Sequence, residues 1–506
     1  MTENKRVARN TELLHLLTIA KACRGWGILH FGIKLLPSFL ITACSLLFFA
    51  SPLFPWGLIA DDPQRPCWHL FQELALRQEN KALPPYFSAL PLRWIRQNYS
   101  SVELFGNDNE RKFAFDISPL VSWYHTTSPY PGIILGSGYE DDRVAFYSSY
   151  RIDKELLRSP SYSGKRWRGF AGEGELIAIA LRPAEGLYIW LGRNRLALGS
   201  GLFLSHEHRP LDGVTALWLR KNFRIIAFCY SLDRLRNADE TDIYRWLSGH
   251  RFELSFPFIS LGAGELIIYG GEDRQPELHY LLPLYFYHGE QLNRPYDDNT
   301  MLIFDLRARH RGFYLSIEFL LDDIQIEHTK PVENEPPLYG FNCELLWRDR
   351  RTTVGLGYRR ISNWTFNQRR FYNRYLYDDE PLADSLGNDC DRLSVSIEHR
   401  FTPWLLAGIG IEQERLGEGR ITAPWDMPWV EAEGEYKEPF PTGIVEQRRK
   451  LFLSSVGYWT SRAEWKMKLG YQWIANREHI IGNAERGFIF SLALRLAFRY
   501  EITNDR

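Results

Sequence analysis

Between Ile361 and Asp391 the chain sets aromatic rings and guanidinium groups in close alternation, with Trp364, Phe366, Arg369, Arg370, Phe371, Tyr372, Arg374, Tyr375 and Tyr377 in a stretch of fourteen residues. The C–H faces of sugars stack on aromatic rings, and sugar carboxylates accept paired hydrogen bonds from arginine. A glycan is therefore the ligand this composition suits. Trp364, Arg369, Arg370, Tyr372, Arg374 and Tyr375 are the candidate polysaccharide-binding residues. The competing reading is a loop folded into its own protein, its arginines paired with Asp378, Asp379 and Glu380. A second stretch, Arg415 to Lys450, sets Trp425, Trp429 and Tyr436 among acids and is the weaker candidate.

Other constellations carry less chemistry. His206 and His208 share one face of an extended segment, but a metal site needs three or four ligands, and the following Arg-Pro-Leu-Asp-Gly run belongs to a turn. An exposed loop is expected there, with no metal. Asp322 and Asp323 are adjacent, so on a strand they face opposite sides and cannot act as an acid/base pair. Pairing with arginines inside the protein is expected instead. No G-x-S-x-G context, phosphate loop or dinucleotide fingerprint occurs, so neither catalysis nor a cofactor is expected. The enzymatic alternative is an outer-membrane lipid-modifying hydrolase assembled from scattered residues. Six cysteines lack metal or redox spacing and read as isolated thiols, with a disulfide as the alternative. The 61 basic and 62 acidic residues balance, which excludes a field that would gather nucleic acid. Only 13 of the basic residues are lysine. The arginine excess points to a bound anion, a flat partner or many internal carboxylates.

The elements that position these groups are strands. From Phe488 to Tyr500 every second residue is apolar or aromatic, and Arg495 and Arg499 fall on the other face, which implies a half-buried strand with one wet side. Trp465 to Trp473, Tyr339 to Trp347 and Phe313 to Leu321 repeat the pattern, with Trp and Tyr at the ends of the apolar faces, as in the girdles of a membrane barrel. Long and short connections also alternate strictly backwards from Tyr500, as outer-membrane barrels require. Fifteen strands follow Gly174, and Phe113–Trp123, Tyr130–Gly138 and Val144–Ile152 add three. The expectation is an all-β, closed antiparallel transmembrane β-barrel of about eighteen strands. Basic residues followed by the uncharged run Leu35–Ala60 read as a secretory signal. The helical period of CWHLFQELALRQ and LPLRWIRQ predicts a small N-terminal α-helical periplasmic cap or plug. The domains expected are thus 1–60 targeting, 61–108 helical cap and 109–506 barrel.

The runs LGRNRLALGSGLFLSHEHRPLDGV, LLPLYFYHGEQLNRPYDDNTMLIFDL and YLSIEFLLDDIQIE resemble segments of the Wzi-type capsule assembly family. With the N-terminal helices and the last strand, the likeness covers most of the chain after about residue 65. The resemblance implies a monomeric lectin barrel in the outer membrane of a Gram-negative (diderm) bacterium, surrounded by lipid and holding capsular or exopolysaccharide at the surface. It implies no enzyme and no nucleic-acid partner. The alternative function is a porin for small solutes, which would need an open lumen.

Overall fold

The computed structural model describes residues 82–84, 86, 112–124, 129–141, 143–158, 162, 164–205, 209–237, 239–293, 298–323, 334–402, 404–432, 436–460, 463–496 and 498–503. The expected signal, most of the helical cap, Cys67, His206 and His208 lie outside them. Among the described residues eighteen antiparallel strands form one closed wall. In chain order these are β1 (Lys112–Tyr124), β2 (Tyr130–Glu140), β3 (Val144–Asp153), β4 (Ala171–Ala184), β5 (Leu187–Asn194), β6 (Leu211–Leu219), β7 (Phe223–Ser231), β8 (Asp242–Ser255) and β9 (Ile259–Glu272). There follow β10 (Asn299–His310), β11 (Phe313–Asp323), β12 (Leu338–Arg348), β13 (Thr352–Ile361), β14 (Cys390–Thr402), β15 (Leu405–Leu416), β16 (Glu446–Thr460), β17 (Ala463–Ala475) and β18 (Ala484–Leu496, resumed over Phe498–Thr503). Each strand pairs with the next, and β1 pairs with both β2 and β18, which closes the ring. No edge is left for another chain to pair with.

Alternation decides which side chains fill the barrel. On β11, Tyr314, Ser316, Glu318, Leu320 and Asp322 point inward and are buried, whereas Phe313, Leu315, Ile317, Phe319 and Leu321 point outward and remain accessible. An apolar outside around a buried inside suits lipid as the surroundings. Short turns join the strands at the periplasmic end. Arg311 and Gly312, both at positive φ (46° and 82°), make the two-residue turn between β10 and β11, a geometry that glycine adopts without strain.

Inside the ring a charged layer and an apolar layer follow one another. Toward the periplasm lies a charged layer in which Arg251 holds Asp305 through Nε and Nη2 (3.0 and 2.8 Å) and Glu253 through Nη1 (2.7 Å). Arg224 also pairs with Glu253, and Arg307 reaches the same carboxylate at 3.1 Å. The described N-terminal residues seal this layer. Arg307 donates to the Pro84 carbonyl (2.7 Å) and lies 4.4 Å from the Tyr86 ring centre, while the Tyr86 hydroxyl meets Ser316 Oγ at 2.6 Å. Above it, inward Phe228, Leu247, Leu266, Ile268, Met301 and Leu320 form an apolar layer.

Two expectations change in detail. The alternation of connections counted backwards from Tyr500 predicts a loop from Leu232 to Gly249, but β8 begins at Asp242. Gly249 marks no turn; a Cβ there would lie 2.5 Å from the Phe228 ring, so the glycine makes room for an aromatic side chain inside the barrel. In place of the expected arginine, the Asp322 carboxylate accepts the Phe366 amide at 2.5 Å. Cys229, Cys343 and Cys390 are free thiols, as the isolated-thiol reading has it.

Candidate functional site

Three extracellular connections build the site. The first, between β5 and β6, turns into the lumen over residues 195–205 instead of out to solvent. Its Leu196, Leu198, Leu202, Phe203 and Leu204 are fully buried in the apolar layer. Its tip reaches the N-terminal segment, where the Gly199 amide donates to the Tyr86 carbonyl at 2.8 Å and the Ser200 amide to Glu318 at 2.7 Å. A segment entering from below thus meets a loop entering from above.

The second connection, 362–389 between β13 and β14, carries all six candidate glycan residues and lies across the mouth. Its backbone is clamped from beneath by Arg245 on β8, which donates to the carbonyls of Tyr372 (2.5 Å), Arg374 (2.7 Å) and Leu376 (3.1 Å). Tyr375 is fully buried, stacks on Phe366 at 5.1 Å and donates its hydroxyl to the Phe203 carbonyl at 2.7 Å. Trp364 is buried against Trp425 (5.4 Å) and Trp429 (5.6 Å), with Tyr436 beside Trp429. Arg374 donates to the carbonyls of Thr422 (3.0 Å) and Ala423 (2.7 Å), tying this loop to the third connection, 417–445. Arg369 and Arg370 are exposed and Tyr372 is half-buried. Of the carboxylates expected to pair with these arginines, Asp378 takes Arg209 of the first loop at 2.7 Å.

Two carboxylates at the mouth are electrostatically distinct. Burial pushes the Asp384 carboxyl up, but the guanidiniums of Arg359 and Arg392 outweigh it and hold the group below the usual range. Burial raises Glu438, and the Asn363 amide donating at 2.8 Å and the Tyr436 hydroxyl only partly oppose it.

Between the second and third loops, β16 and the β17–β18 connection opens a cavity of about 390 Å³, at the small end of ligand-pocket sizes (about 300–1,000 Å³). Leu376, Pro381, Leu386, Leu416 and Ile421 supply apolar walls, and Ser385, Asn388, Arg420, Arg448, Glu446 and His479 supply polar ones. His479 Nδ1 lies 2.7 Å from the Ile444 carbonyl, so it must donate, leaving Nε2 to accept from Arg420 at 2.6 Å. Arg448 is held by Glu446 at 2.5 Å. Among the described residues no group of three or more His, Cys, Asp or Glu side chains could hold a metal.

The family profile of the capsule assembly protein Wzi matches residues 191–483. The chain belongs to the Wzi capsule assembly family. The structure of Wzi from Escherichia coli, described as a carbohydrate-binding β-barrel of the outer membrane involved in group 1 capsule assembly, is similar with a TM-score of 0.55 at 13% identity, over 89% of this chain and 100% of that one. Pseudomonas aeruginosa OccD3 and Acinetobacter baumannii OccAB4 match at TM-scores of 0.45 and 0.44, with 11% and 9% identity, over 78% of this chain and 91% and 100% of theirs. No curated protein sequence matches the chain. Family and fold place it in the outer membrane of a Gram-negative bacterium.

In this Wzi-family barrel the six residues picked by composition divide. Arg369, Arg370 and Tyr372 reach the surface, while Trp364, Arg374 and Tyr375 hold loops together. Arg420, Arg448 and His479 escaped notice because they come from two separate connections and the start of β16, far apart in sequence. The signal that could have found Arg420 is its loop, already marked by Trp425 and Trp429, which form the tryptophan cluster that anchors it.

Proposed function

We propose that this protein binds and anchors capsular or exopolysaccharide at the cell surface in capsule assembly. The observation that carries the reading is a filled lumen in a Wzi-family chain. Tyr86 and the loop around Gly199 meet inside the wall, and loop 362–389 lies over them. A porin needs an open passage, whereas a surface lectin needs a rigid support for its outer loops. In this reading the polymer lies on the outer face, touched by Arg369, Arg370 and Tyr372 and entering the cavity beside Arg420 and Arg448. Trp364, Arg374 and Tyr375 contribute by fixing the loops. The protein acts as a monomer in outer-membrane lipid, without a catalytic step, after a signal in residues 1–60 has directed export, and residues 61–108 cap the periplasmic end.

The test compares cell-bound with released polysaccharide in cells lacking the gene and in cells complemented with variants. Loss of the protein should move polymer from the cell-bound to the released fraction, and Arg369→Ala, Arg370→Ala and Tyr372→Ala together should do the same at unchanged barrel abundance. Unaltered retention in the deletion strain, together with porin-like conductance of the purified barrel, would replace this reading with the porin.

A further inference from the structure

Alternation sorts β8 and β9 into inward and outward sets, and the outward set changes character along the wall. Near the periplasmic turn it is apolar and bare, Leu254 being 48% and Leu261 49% exposed. Further up, Ser248 and His250 of β8 stand opposite Ile267 and Glu265 of β9. None of these four is more than 5% exposed, although all point away from the lumen. The same ladder row continues from Glu265 to Leu302 and Leu321, both apolar and outward. A carboxylate and an imidazole thus stand in a row that is otherwise apolar, where contact with acyl chains would be costly.

The connection between β9 and β10, residues 273–298, covers them from outside the barrel. The Tyr287 amide donates to Glu265 at 2.7 Å, and the Tyr287 ring sets its edge to His250 at 4.6 Å. His288 Nδ1 lies 2.9 Å from the same carboxylate. Higher on the wall, the Glu277 amide donates to the Tyr269 hydroxyl at 3.0 Å, and Trp246 Nε1 to the Arg274 carbonyl at 3.1 Å. Tyr280 and Tyr287 are buried against the wall. The opposite face presents Leu278, Leu282, Leu284 and Phe286, exposed by 73%, 58%, 88% and 60%. Tyrosine rings and hydroxyls turn toward the protein and pure hydrocarbon turns away, the arrangement expected of a segment whose surroundings are apolar.

We propose that residues 278–286 are a membrane-embedded strap, lying in the acyl layer of the outer leaflet and standing between lipid and the His250–Glu265 pair. The patch continues the apolar outer wall formed by Leu254, Leu261 and Phe304, which makes acyl chains its occupant. In water, four large apolar side chains so close together would be a liability that soluble surfaces avoid. The proposal rests on the outer-membrane location and is independent of the polysaccharide reading.

Photocrosslinking tests it in the full chain. A benzophenone side chain is placed in turn at Leu284, at Leu261 as the outer-wall reference and at Glu418 as the aqueous reference, and intact outer membranes are irradiated. Leu284 makes almost no contact in the chain, so the change leaves folding intact. The expected result is lipid adduct at Leu284 in a yield comparable to that at Leu261 and well above that at Glu418. A product of twice the chain mass would overturn the proposal in favour of a second copy. An adduct with another protein, or a lipid yield no higher than at Glu418, would overturn it equally.

Discussion

Tyr375 and Arg369 come from one loop with one composition, yet the first is sealed in the core and the second lies in the open. Residue types alone cannot separate a stacking platform from a packing anchor, because an aromatic ring serves both and only the loop's path decides. That is why the list of candidates was legible in the sequence and their division was not. The two roles predict different phenotypes. Tyr375→Ala removes a stacked ring and opens a cavity, and should cost about 3–5 kcal/mol. Tyr375→Phe loses only the hydrogen bond to Phe203 and should cost about 0.5–1.5 kcal/mol. Both should appear as faster protease cleavage of loop 362–389, whereas Arg369→Ala with Arg370→Ala should leave cleavage unchanged and weaken polymer retention, more at low salt than at high salt if the sugar is charged. Asp384 adds a pH dependence. Its carboxyl is held below its unfolded value, so its stabilisation is present above the ordinary aspartate range and is lost as pH falls through the depressed pKa. The Asp384 part of loop cleavage should therefore be flat through neutral and mildly acidic pH and rise only in strong acid. Asp384→Asn should already be cleaved faster at neutral pH and should lose most of that acid rise. Glu438, raised by burial, works the other way, its contribution fading as pH rises through its raised pKa.

The wall strands were legible at the scale of elements because period-two alternation and the lengths of the connections are independent signals that agree. The contents of the lumen were not. Alternation says which side chains point inward, but Phe228, Leu247 and Met301 read as inward residues of a channel as readily as of a core. Nothing in LALGSGLFLS states that loop 195–210 dives inward; that follows only from an apolar layer waiting to be covered, and apolar surface removed from water is worth about 25 cal/mol per Å². The described residues enter the lumen from both ends, Leu83, Pro84 and Tyr86 from below and the loop around Phe203 from above. Deleting residues 66–99 removes the cover of the charged layer but leaves loop 195–210 and its buried leucines in place. Single-channel conductance in planar bilayers should rise only slightly on that deletion, and should become porin-like only when residues 196–204 are shortened as well. A general-porin conductance from the first deletion alone would show that the loop does not block the barrel.

At the scale of the whole molecule, a filled and closed barrel is a rigid pedestal whose outer loops meet a polymer present in many repeats. In the proposed contact with Arg369, Arg370 and Tyr372, one repeat unit gains only a little. Ring stacking adds about 0.5–1.5 kcal/mol beyond the area buried, and an exposed ion pair about 0–1 kcal/mol. One stacked ring and two ion pairs sum to about 0.5–3.5 kcal/mol, less than the roughly 4 kcal/mol that corresponds to a Kd of about 1 mM. A long glycan that bridges several barrels turns each later contact into an intramolecular one, and avidity can then exceed the single affinity by about 10²–10⁴ without any new contact. Retention should therefore depend on the density of barrels more steeply than linearly. Titrating expression downward should release polymer well before the barrels are exhausted, and short oligosaccharides of the same repeat should compete only at millimolar concentrations. Retention that falls in proportion to copy number, or one repeat unit binding the isolated barrel at nanomolar concentration, would instead place a single strong site at the mouth, and the cavity beside Arg420 and Arg448 would then be the first place to mutate.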